Sequence, residues 1–382
     1  MVPVKTGVAE LPLHSGHAPS WLIERMRKLA DAIVTVIVES YDAGEFLRRI
    51  SDPFWFQSFG CVLGFDWHSS GLTTVVTGVL RESLNFEKHG IMVAGGKGSK
   101  SKRTPEELKT VLVSHGFDEG KVENLIRASR LSAKVDNALI QDGYNLYHHA
   151  IFVDEKGRWA VVQQGMNVSD GYARRYHWLG ESVKSFVVEP HSSILSDGVS
   201  SIALNMTSRK CEDARKISVD LVCESPSKLI RIFNTLNKQE SLTKWLGEET
   251  STTIMEKVPA YLRMPKRVNW DLLRKAYEFK PRNYEEFIEI RGVGPSTVRA
   301  LALIATLIFG AEVDWKDPVK YSFAVGGKDG VPYPVSRRTM DEATKFLREM
   351  IEAAELEKEA KVEAFKRLAR AEQITVLEFT HD

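Results

Sequence analysis

Residues 146–167, LYHHAIFVDEKGRWAVVQQGMN, carry the clearest fold signal of the 382-residue chain. Two apolar runs flank the tetrapeptide DEKG at residues 154–157, and polar segments with glycine between such runs are typical of β-hairpin turns. We therefore predict a β-hairpin that turns at residues 154–157. Because side chains alternate between the two faces of a strand, this turn predicts one face with His148, Ala150, Phe152, Trp159, Val161 and Gln163, and an opposite face with His149, Ile151, Val153, Arg158, Ala160 and Val162.

The spacing of apolar residues changes near residue 225. Before it, β-branched alternation is frequent, and after it the apolar residues follow a helical period. We predict an α+β fold, with a mixed α/β domain over residues 1–224 that holds the catalytic pocket. A helical domain with a long C-terminal helix is predicted over residues 225–382.

Local signals place three elements of the first domain. A helix is expected over residues 19–41, where Pro19 and Ser20 stand at its start. Residues 52–84 are rich in aromatic, glycine and β-branched residues, which favours strands or a strand and a helix. A further helix is expected to begin at Thr104, with a capping box to Glu107.

Composition excludes several classes of protein. The chain is 43% hydrophobic and 27% charged with a net charge of +1, so a nucleic-acid partner needs a local basic patch. Its cysteines, Cys61, Cys211 and Cys223, have no CxxC spacing, which argues against a disulfide framework or a cysteine zinc site. The first residues do not resemble a secretory leader, and the apolar run 32–38 is too short to cross a bilayer. We expect a cytoplasmic protein without a membrane partner.

A second informative stretch is EIRGVGPSTVRALALIATLIFGAEVD, residues 289–314. Asn283 is a good N-cap for the preceding helical pattern, Pro295 suits the first turn of the next helix, and Gly310 suits its end. The order is helix, glycine turn, helix. Glycines in such a turn either permit positive φ or let backbone N–H groups approach a phosphate, and the sequence leaves both roles open.

The turn resembles the helix-hairpin-helix motif that binds the DNA backbone. That resemblance covers about residues 245–345 and implies DNA contacts by Arg291, Gly292, Val293, Gly294, Ser296, Thr297 and Arg299. DNA glycosylases with this motif carry a catalytic aspartate one helix later, and those that also cleave the strand carry a lysine just after the turn. Asp314 matches the aspartate position, whereas Ser296 occupies the lysine position. Asp314 could instead cap the turn in VDWKDP, residues 313–318.

The first half is better equipped for catalysis, since nine of the ten histidines lie in residues 1–191. The candidate catalytic residues there are Asp66, His68, Lys134, Asp136, His148 and His149. One hypothesis is a divalent metal held by Asp66, His68, Asp136 and His148. Another is Lys134, its pKa lowered by burial, as a Schiff-base nucleophile. The alternative to both is a conventional ion pair and buried, hydrogen-bonded histidines.

The loop GGKGSKSKR, residues 95–103, is the strongest basic patch in the sequence. Its cations are Lys97, Lys100, Lys102 and Arg103, which would contact DNA phosphates or simply form a solvated loop. Gly98 after Lys97 departs from the phosphate-binding loop of nucleotide-binding proteins, so we expect no nucleotide cofactor.

Longer motifs extend over nearly the whole chain, among them LPLHSGHAP (11–19), AKVDNALIQDGYNLYHH (133–149), QQGMN (163–167) and RRYHWL (174–179). They resemble the mainly archaeal family catalogued as domain of unknown function 763. The resemblance implies a thermophilic, archaeal-type cytosolic protein that repairs oxidised or deaminated pyrimidines in DNA. The resulting prediction is a DNA glycosylase with strand-cleaving lyase activity. A metal-dependent DNA endonuclease and a non-catalytic DNA-binding adaptor are the alternatives, and a divalent metal is the cofactor left open.

Overall fold

A five-stranded antiparallel sheet forms the centre of the fold. The structure is a computed structural model that describes residues 20–65, 71–168, 171–196, 200, 202–245, 262–319 and 337–379. The sheet has the order β1-β3-β4-β5-β6, and β2 pairs with β7 in a separate two-stranded ladder. The strands are β1 (Ile91–Lys97), β2 (Ile140–Gln141), β3 (Asn145–Asp154), β4 (Trp159–Asn167), β5 (Tyr172–Leu179), β6 (Ser193–Ser196) and β7 (Leu204–Asn205).

Helices occupy most of the remaining described chain. Those before β2 are α1 (Ser20–Ser40), α2 (Ala43–Ile50), α3 (Pro53–Leu63), α4 (Gly71–Ser83), α5 (Phe86–His89), α6 (Ser99–Lys102), α7 (Thr104–Ser114) and α8 (Glu119–Lys134), which continues as a π-helical turn (Val135–Leu139). Those after the sheet are α9 (Glu212–Cys223), α10 (Pro226–Trp245), α11 (Trp270–Phe279), α12 (Tyr284–Glu289), α13 (Pro295–Phe309), α14 (Arg337–Ala353) and α15 (Lys358–Phe379). The protein is therefore a mixed α/β fold, as the sequence predicted at this coarse level.

Helices cover both faces of the sheet. Ala150, Phe152 and Val162 pack on one face, in a first core with residues of α1 to α4, α14 and α15. Ile151 and Val161 pack on the other face, in a second core with residues of α7, α8, α9 and the helices α10 to α13. Helices that follow residue 225 thus contribute to both cores.

The hairpin of β3 and β4 confirms the predicted hairpin but not its register. Phe152 pairs with Ala160, and His149 pairs with Gln163. The buried carboxylate of Asp154 causes the shift, because its Oδ1 accepts hydrogen bonds from the backbone N–H groups of Lys156 (3.0 Å) and Arg158 (2.8 Å). This side-chain turn makes Arg158 part of the connection. The predicted face groups were wrong by one residue on β4: His149, Ile151 and Val153 share a face with Trp159, Val161 and Gln163.

The described parts of residues 52–84 form the helices α3 and α4 rather than strands. Asp52 accepts hydrogen bonds from the N–H groups of Phe54 and Trp55 at the start of α3, and Gly64, with φ 106°, ends it. Every residue of α3 is buried, so its sequence lacks the polar face that marks a surface helix. The expectation of strands here was wrong for that reason.

The expected helices at residues 19–41 and from Thr104 are confirmed as α1 and α7. The capping box at the start of α7 is absent. The Thr104 hydroxyl donates to the carbonyl of Ser101, and the Glu107 carboxylate accepts from the Gly95 N–H (3.0 Å) and from Arg81 (3.0 Å). Glu107 therefore ties the helix to β1 and α4 instead of capping its own helix.

We predict that Asp154→Ala lowers the free energy of unfolding by about 2–3 kcal/mol, since it leaves two part-buried N–H groups of the turn and the Arg158 Nε without their acceptor, although Arg158 Nη1 keeps its bond to Asp42. Chemical denaturation measures this. Asp271→Ala, at an exposed ion pair with Arg274, is the matched control and should change stability by less than about 0.5 kcal/mol. Equal effects of the two substitutions would contradict the role of Asp154 in the turn.

Candidate functional site

The turn between α12 and α13 is built by local capping. Asn283 Oδ1 accepts a hydrogen bond from the Glu286 N–H (2.9 Å) at the start of α12. The Val293 N–H donates to the Ile290 carbonyl (3.1 Å) and closes the turn. Gly294 then stands as the N-cap of α13 without any side-chain hydrogen bond, and Gly310 ends that helix with φ 69°. The first N–H groups of α13 therefore have no cap from the residue before them.

The two glycines of this turn have different requirements. Gly292 has φ 103°, a conformation that residues with a side chain rarely adopt. Gly294 has φ −147°, which any residue adopts. A Cβ at Gly294 would meet nothing closer than the Gly292 carbonyl oxygen at 3.9 Å. The fold requires glycine at 292 and does not require it at 294.

Only part of the predicted phosphate-binding set lies at the surface. Arg291, Gly292 and Ser296 are exposed and Gly294 is half-buried. Val293 and Thr297 are buried in the second core or against it. The turn thus presents two glycines, one arginine and one serine to solvent.

Arg299 is a buried, hydrogen-bonded residue of the fold rather than a surface cation. Its side chain is buried, Nη1 donates to Gln141 Oε1 (2.6 Å), and Nε donates to the Arg263 carbonyl (2.7 Å). Burial lowers the pKa of this guanidinium. The expectation that Arg299 contacts phosphate does not fit this position, because both bonds hold it inside the fold.

Residues of the first half hold the turn in place. Lys134 Nζ donates to the carbonyls of Ile288 and Ile290, both at 2.8 Å. Gln141 Nε2 donates to the Pro295 carbonyl (2.9 Å). The end of α12 and the start of α13 are therefore fixed to the end of α8 and to β2.

Lys134 and Asp136 have different neighbours although they are two residues apart. Burial lowers the pKa of the Lys134 amine to about 8, so a larger share of it is neutral near physiological pH than for a solvated lysine. Asp136 is enclosed on the second-core side of the sheet. The structure brings Lys134 to the turn rather than to Asp136.

Exposed cations near α13 were not singled out from the sequence. Arg263, Lys266 and Arg267 are exposed in the segment 262–268, next to α11. The bond from Arg299 to the Arg263 carbonyl holds this segment against α13. The basic run RMPKR at residues 263–267 is the sequence feature that could have identified these cations.

Asp136 belongs to a buried hydrogen-bond network on the second-core face. Its carboxylate accepts from Gln163 Nε2 (2.5 Å) and Trp178 Nε1 (3.1 Å) and contacts His191 Nε2 (2.5 Å). Gln163 Oε1 lies 2.8 Å from His149 Nδ1. Burial raises the pKa of Asp136 and lowers the pKa of His149 to about 4. His149 is therefore neutral at physiological pH, and these residues are buried hydrogen-bonded groups.

His148 lies on the opposite face of the sheet. Its Nε2 is 2.8 Å from the Thr77 hydroxyl. Burial lowers its pKa to about 3, helped by His149 and Lys97. Asp136 and His148 are separated by the sheet, so the proposed metal set of Asp66, His68, Asp136 and His148 cannot form one site. Asp66 and His68 lie outside the described residues, and no group of three His, Cys, Asp or Glu within the described ranges has the geometry of a metal site.

Asp314 is half-buried in the connection after α13. Its Oδ1 accepts from the Lys316 N–H (3.0 Å), its N–H donates to Cys211 Sγ (3.2 Å), and its carbonyl accepts from Asn205 (2.9 Å). The carboxylate caps the turn, as the alternative interpretation of VDWKDP proposed. Three residues on, the buried Arg174 forms ion pairs with Asp142 and with Asp317 (2.7 Å), which tie this connection to β5.

The basic segment 95–103 is ordered rather than a loose loop. Lys97 ends β1, α6 follows, and the exposed cations are Lys97, Lys100, Lys102 and Arg103. A Cβ at Gly95 would lie 2.3 Å from the His149 carbonyl oxygen, so packing against β3 accounts for that glycine. These cations remain candidates for phosphate contact on exposure alone.

The family model described as "Protein of unknown function (DUF763)" matches residues 7–335. The chain belongs to this family. The comparisons found no match among curated proteins and none among solved structures. In the described residues of this family member, no helix combines the length and the apolar character needed to span a membrane.

We predict that the two turn glycines respond differently to alanine. Gly292→Ala should lower the free energy of unfolding by about 1–2 kcal/mol because of its positive φ, whereas Gly294→Ala should change it by less than about 0.5 kcal/mol. Thermal and urea denaturation of both variants measure the difference. A large loss of stability in Gly294→Ala would show that the fold does require this glycine.

Proposed function

We propose that the chain is a cytoplasmic DNA repair protein that holds the DNA backbone through the turn at residues 290–296. The observation that carries the proposal is Gly294, a glycine that neither conformation nor space requires. Because the N-cap residue has no side chain, a phosphate oxygen can approach the first N–H groups of α13 closely. The likeness of the turn to the helix-hairpin-helix motif supports the same function.

The charge around the turn supports this contact. Arg291 is exposed on the turn, and Arg263, Lys266 and Arg267 are exposed in the segment that Arg299 holds against α13. Such a local cluster attracts a phosphate backbone although the net charge of the chain is only +1. Backbone contacts of this kind position DNA without reading its sequence.

We assign the chemistry to Lys134. Its amine lies at the turn and has a pKa of about 8. A neutral amine attacks C1′ of a damaged nucleotide and displaces the base; the sugar ring then opens at O4′ to give an imine, and the two amine protons pass to the departing base and to O4′. With an abasic sugar, the amine condenses with the C1′ aldehyde and releases water. Loss of a C2′ proton to solvent and departure of the 3′-phosphate from that imine then cleave the strand. This gives the glycosylase-lyase proposal a nucleophile that Ser296 cannot supply.

A non-catalytic DNA-binding adaptor is the second candidate. The observation that favours it is that the Lys134 amine already donates two hydrogen bonds to main-chain carbonyls. In that role the lysine only holds α12 against α8. The metal-dependent endonuclease receives less support, because Asp136 and His148 lie on opposite faces of the sheet.

The DNA contact is tested by titrating a fluorescent duplex at several salt concentrations. Arg291→Gln should weaken binding and reduce the slope of log affinity against log salt by about 1, because one phosphate contact is lost. Lys156→Gln, at an exposed position of the β3–β4 turn, is the matched control and should leave the slope unchanged. If both variants bind like the wild type, the turn is not the DNA interface.

The chemistry is tested with duplexes that carry abasic sites, uracil or oxidised pyrimidines, with and without EDTA, followed by borohydride trapping. We expect an EDTA-resistant covalent adduct whose yield rises as the pH passes about 8, since the amine must be neutral to attack. Lys134→Arg keeps the charge and the donors but cannot form the imine, so it should bind DNA without trapping.

Lys121→Met is the control, because Lys121 is an exposed lysine of the same helix. Trapping that persists in Lys134→Arg would remove Lys134 from the mechanism. Absence of trapping and of cleavage on every substrate, with binding retained, would favour the adaptor.

A further inference from the structure

A second surface feature lies at the opposite end of α12 from the turn. It is an open cleft of about 590 Å³ between α9 and the segment 282–284. Its wall includes Val188 and Val219, and its polar side chains include Arg215 and Tyr284. This volume lies in the range of sites that hold small ligands.

Arg215 is a buried cation without an acidic partner. Only 4% of the residue is exposed, and its Nη1 donates to the carbonyls of Met206 (2.7 Å) and Ser208 (2.8 Å). No carboxylate of the described residues forms an ion pair with it, and burial lowers its pKa. A buried guanidinium is normally compensated by an anion. The carboxylates that line the cleft, Glu212 and Asp220, form no ion pair with Arg215, and Glu212 pairs with Lys216 instead.

Tyr284 adds an unused donor at the same place. The residue is 5% exposed, and its hydroxyl has no hydrogen-bond partner among the described residues. Burial raises the pKa of this phenol, so it remains protonated and can donate. Buried hydroxyls without a partner are rare in folded proteins.

The other cations of the cleft are already neutralised. Arg209 pairs with Glu189 (2.9 Å), Lys216 with Glu212 (2.6 Å) and Arg282 with Glu286 (2.6 Å). The cations of these pairs are exposed, whereas Arg215 and Tyr284 are buried residues of the cleft lining. The arrangement fits one anion held at one point rather than a general basic surface.

We propose that the cleft binds a phosphate group, with Arg215 and the Tyr284 hydroxyl as its ligands. Arginine and a neutral hydroxyl both donate to phosphate oxygens, and phosphate accepts several such bonds at once. The phosphate belongs either to a free mononucleotide or to the end of a DNA strand. The second source rests on the proposed DNA contact, since α12 joins the cleft to the turn over about 9 Å of helix; the phosphate site itself does not depend on it.

The site is tested by calorimetry and thermal denaturation of the full chain with sodium phosphate against sodium chloride at equal ionic strength. We expect saturable binding of phosphate and a rise in the melting temperature. Tyr284→Phe removes only the hydroxyl and should weaken phosphate about tenfold while the unliganded protein keeps its stability. Arg215→Lys should weaken it at least as much, because the fork of donors is lost.

Lys216→Gln is the matched control, and it should change phosphate affinity less than about threefold because Lys216 is already paired. No binding of phosphate by the wild type would overturn the proposal. Equal affinity of the wild type and Tyr284→Phe would also overturn it, even where Arg215→Lys fails to fold.

Two further ligands distinguish the sources of the phosphate. Deoxycytidine monophosphate tests the free nucleotide, and a single strand with or without a 5′-phosphate tests the DNA end. If the 5′-phosphate increases the affinity for the strand and Tyr284→Phe abolishes that increase, the site binds the end of a DNA strand. If only the mononucleotide binds tightly, the site binds a free nucleotide. Arg291→Gln should leave inorganic phosphate binding unchanged, so failure of the turn as a DNA interface and failure of this site are separate results.

Discussion

Burial of the central sheet on both faces is the constraint on which the rest of the structure depends. An antiparallel sheet often leaves one face in water, but here helices cover Ile151 and Val161 on one side and Ala150 and Val162 on the other. The buried polar side chains on β3, β4 and β5 then depend on partners inside the protein. The Asp136 network and the pairing of Arg174 with Asp142 and Asp317 meet this demand. Asp136 and His149, which look catalytic in sequence, are accounted for here by hydrogen bonds within the fold.

The same constraint explains how the turn at residues 290–296 is positioned. Lys134 of α8 and Gln141 of β2 donate to main-chain carbonyls at the turn, and Arg299 of α13 donates to the Gln141 side chain and to the Arg263 carbonyl. These bonds fix the turn to α8 and β2, so it cannot rotate freely on its helices. A surface that is held in this way is suited to meeting a rigid partner such as a duplex.

Sequence reasoning was successful where the signal is local. The caps at Asn283 and Gly310 and the turn residues near Gly157 lie within a few positions of the elements they end. It failed at α3, because a helix buried on all sides shows no amphipathic period. It also missed the register of the hairpin, since the Asp154 side chain acts as part of the turn.

The candidate site was harder to predict, because the deciding contacts are distant in sequence. Nothing near Arg299 shows that Gln141, 158 positions away, would bury it. The sequence shows that His148 and His149 lie on opposite faces of the strand. It does not show which residues contact each imidazole ring, because those contacts depend on helices distant in sequence. Lys134 was recognised as a candidate, whereas its place beside the turn came only from the packing of α8 on α12.

The first core brings together distant parts of the chain. Arg367 Nη1 donates to the carbonyls of Val62 and Leu63, across 305 and 304 positions, and the Arg49 guanidinium lies 3.9 Å from the centre of the Phe346 ring. Closing such a long loop costs entropy before any contact is gained. During synthesis, the part of α1 to α3 that packs against α14 and α15 therefore stays uncovered until those two helices have left the ribosome. Apolar surface that is exposed in this way favours aggregation of the incomplete chain.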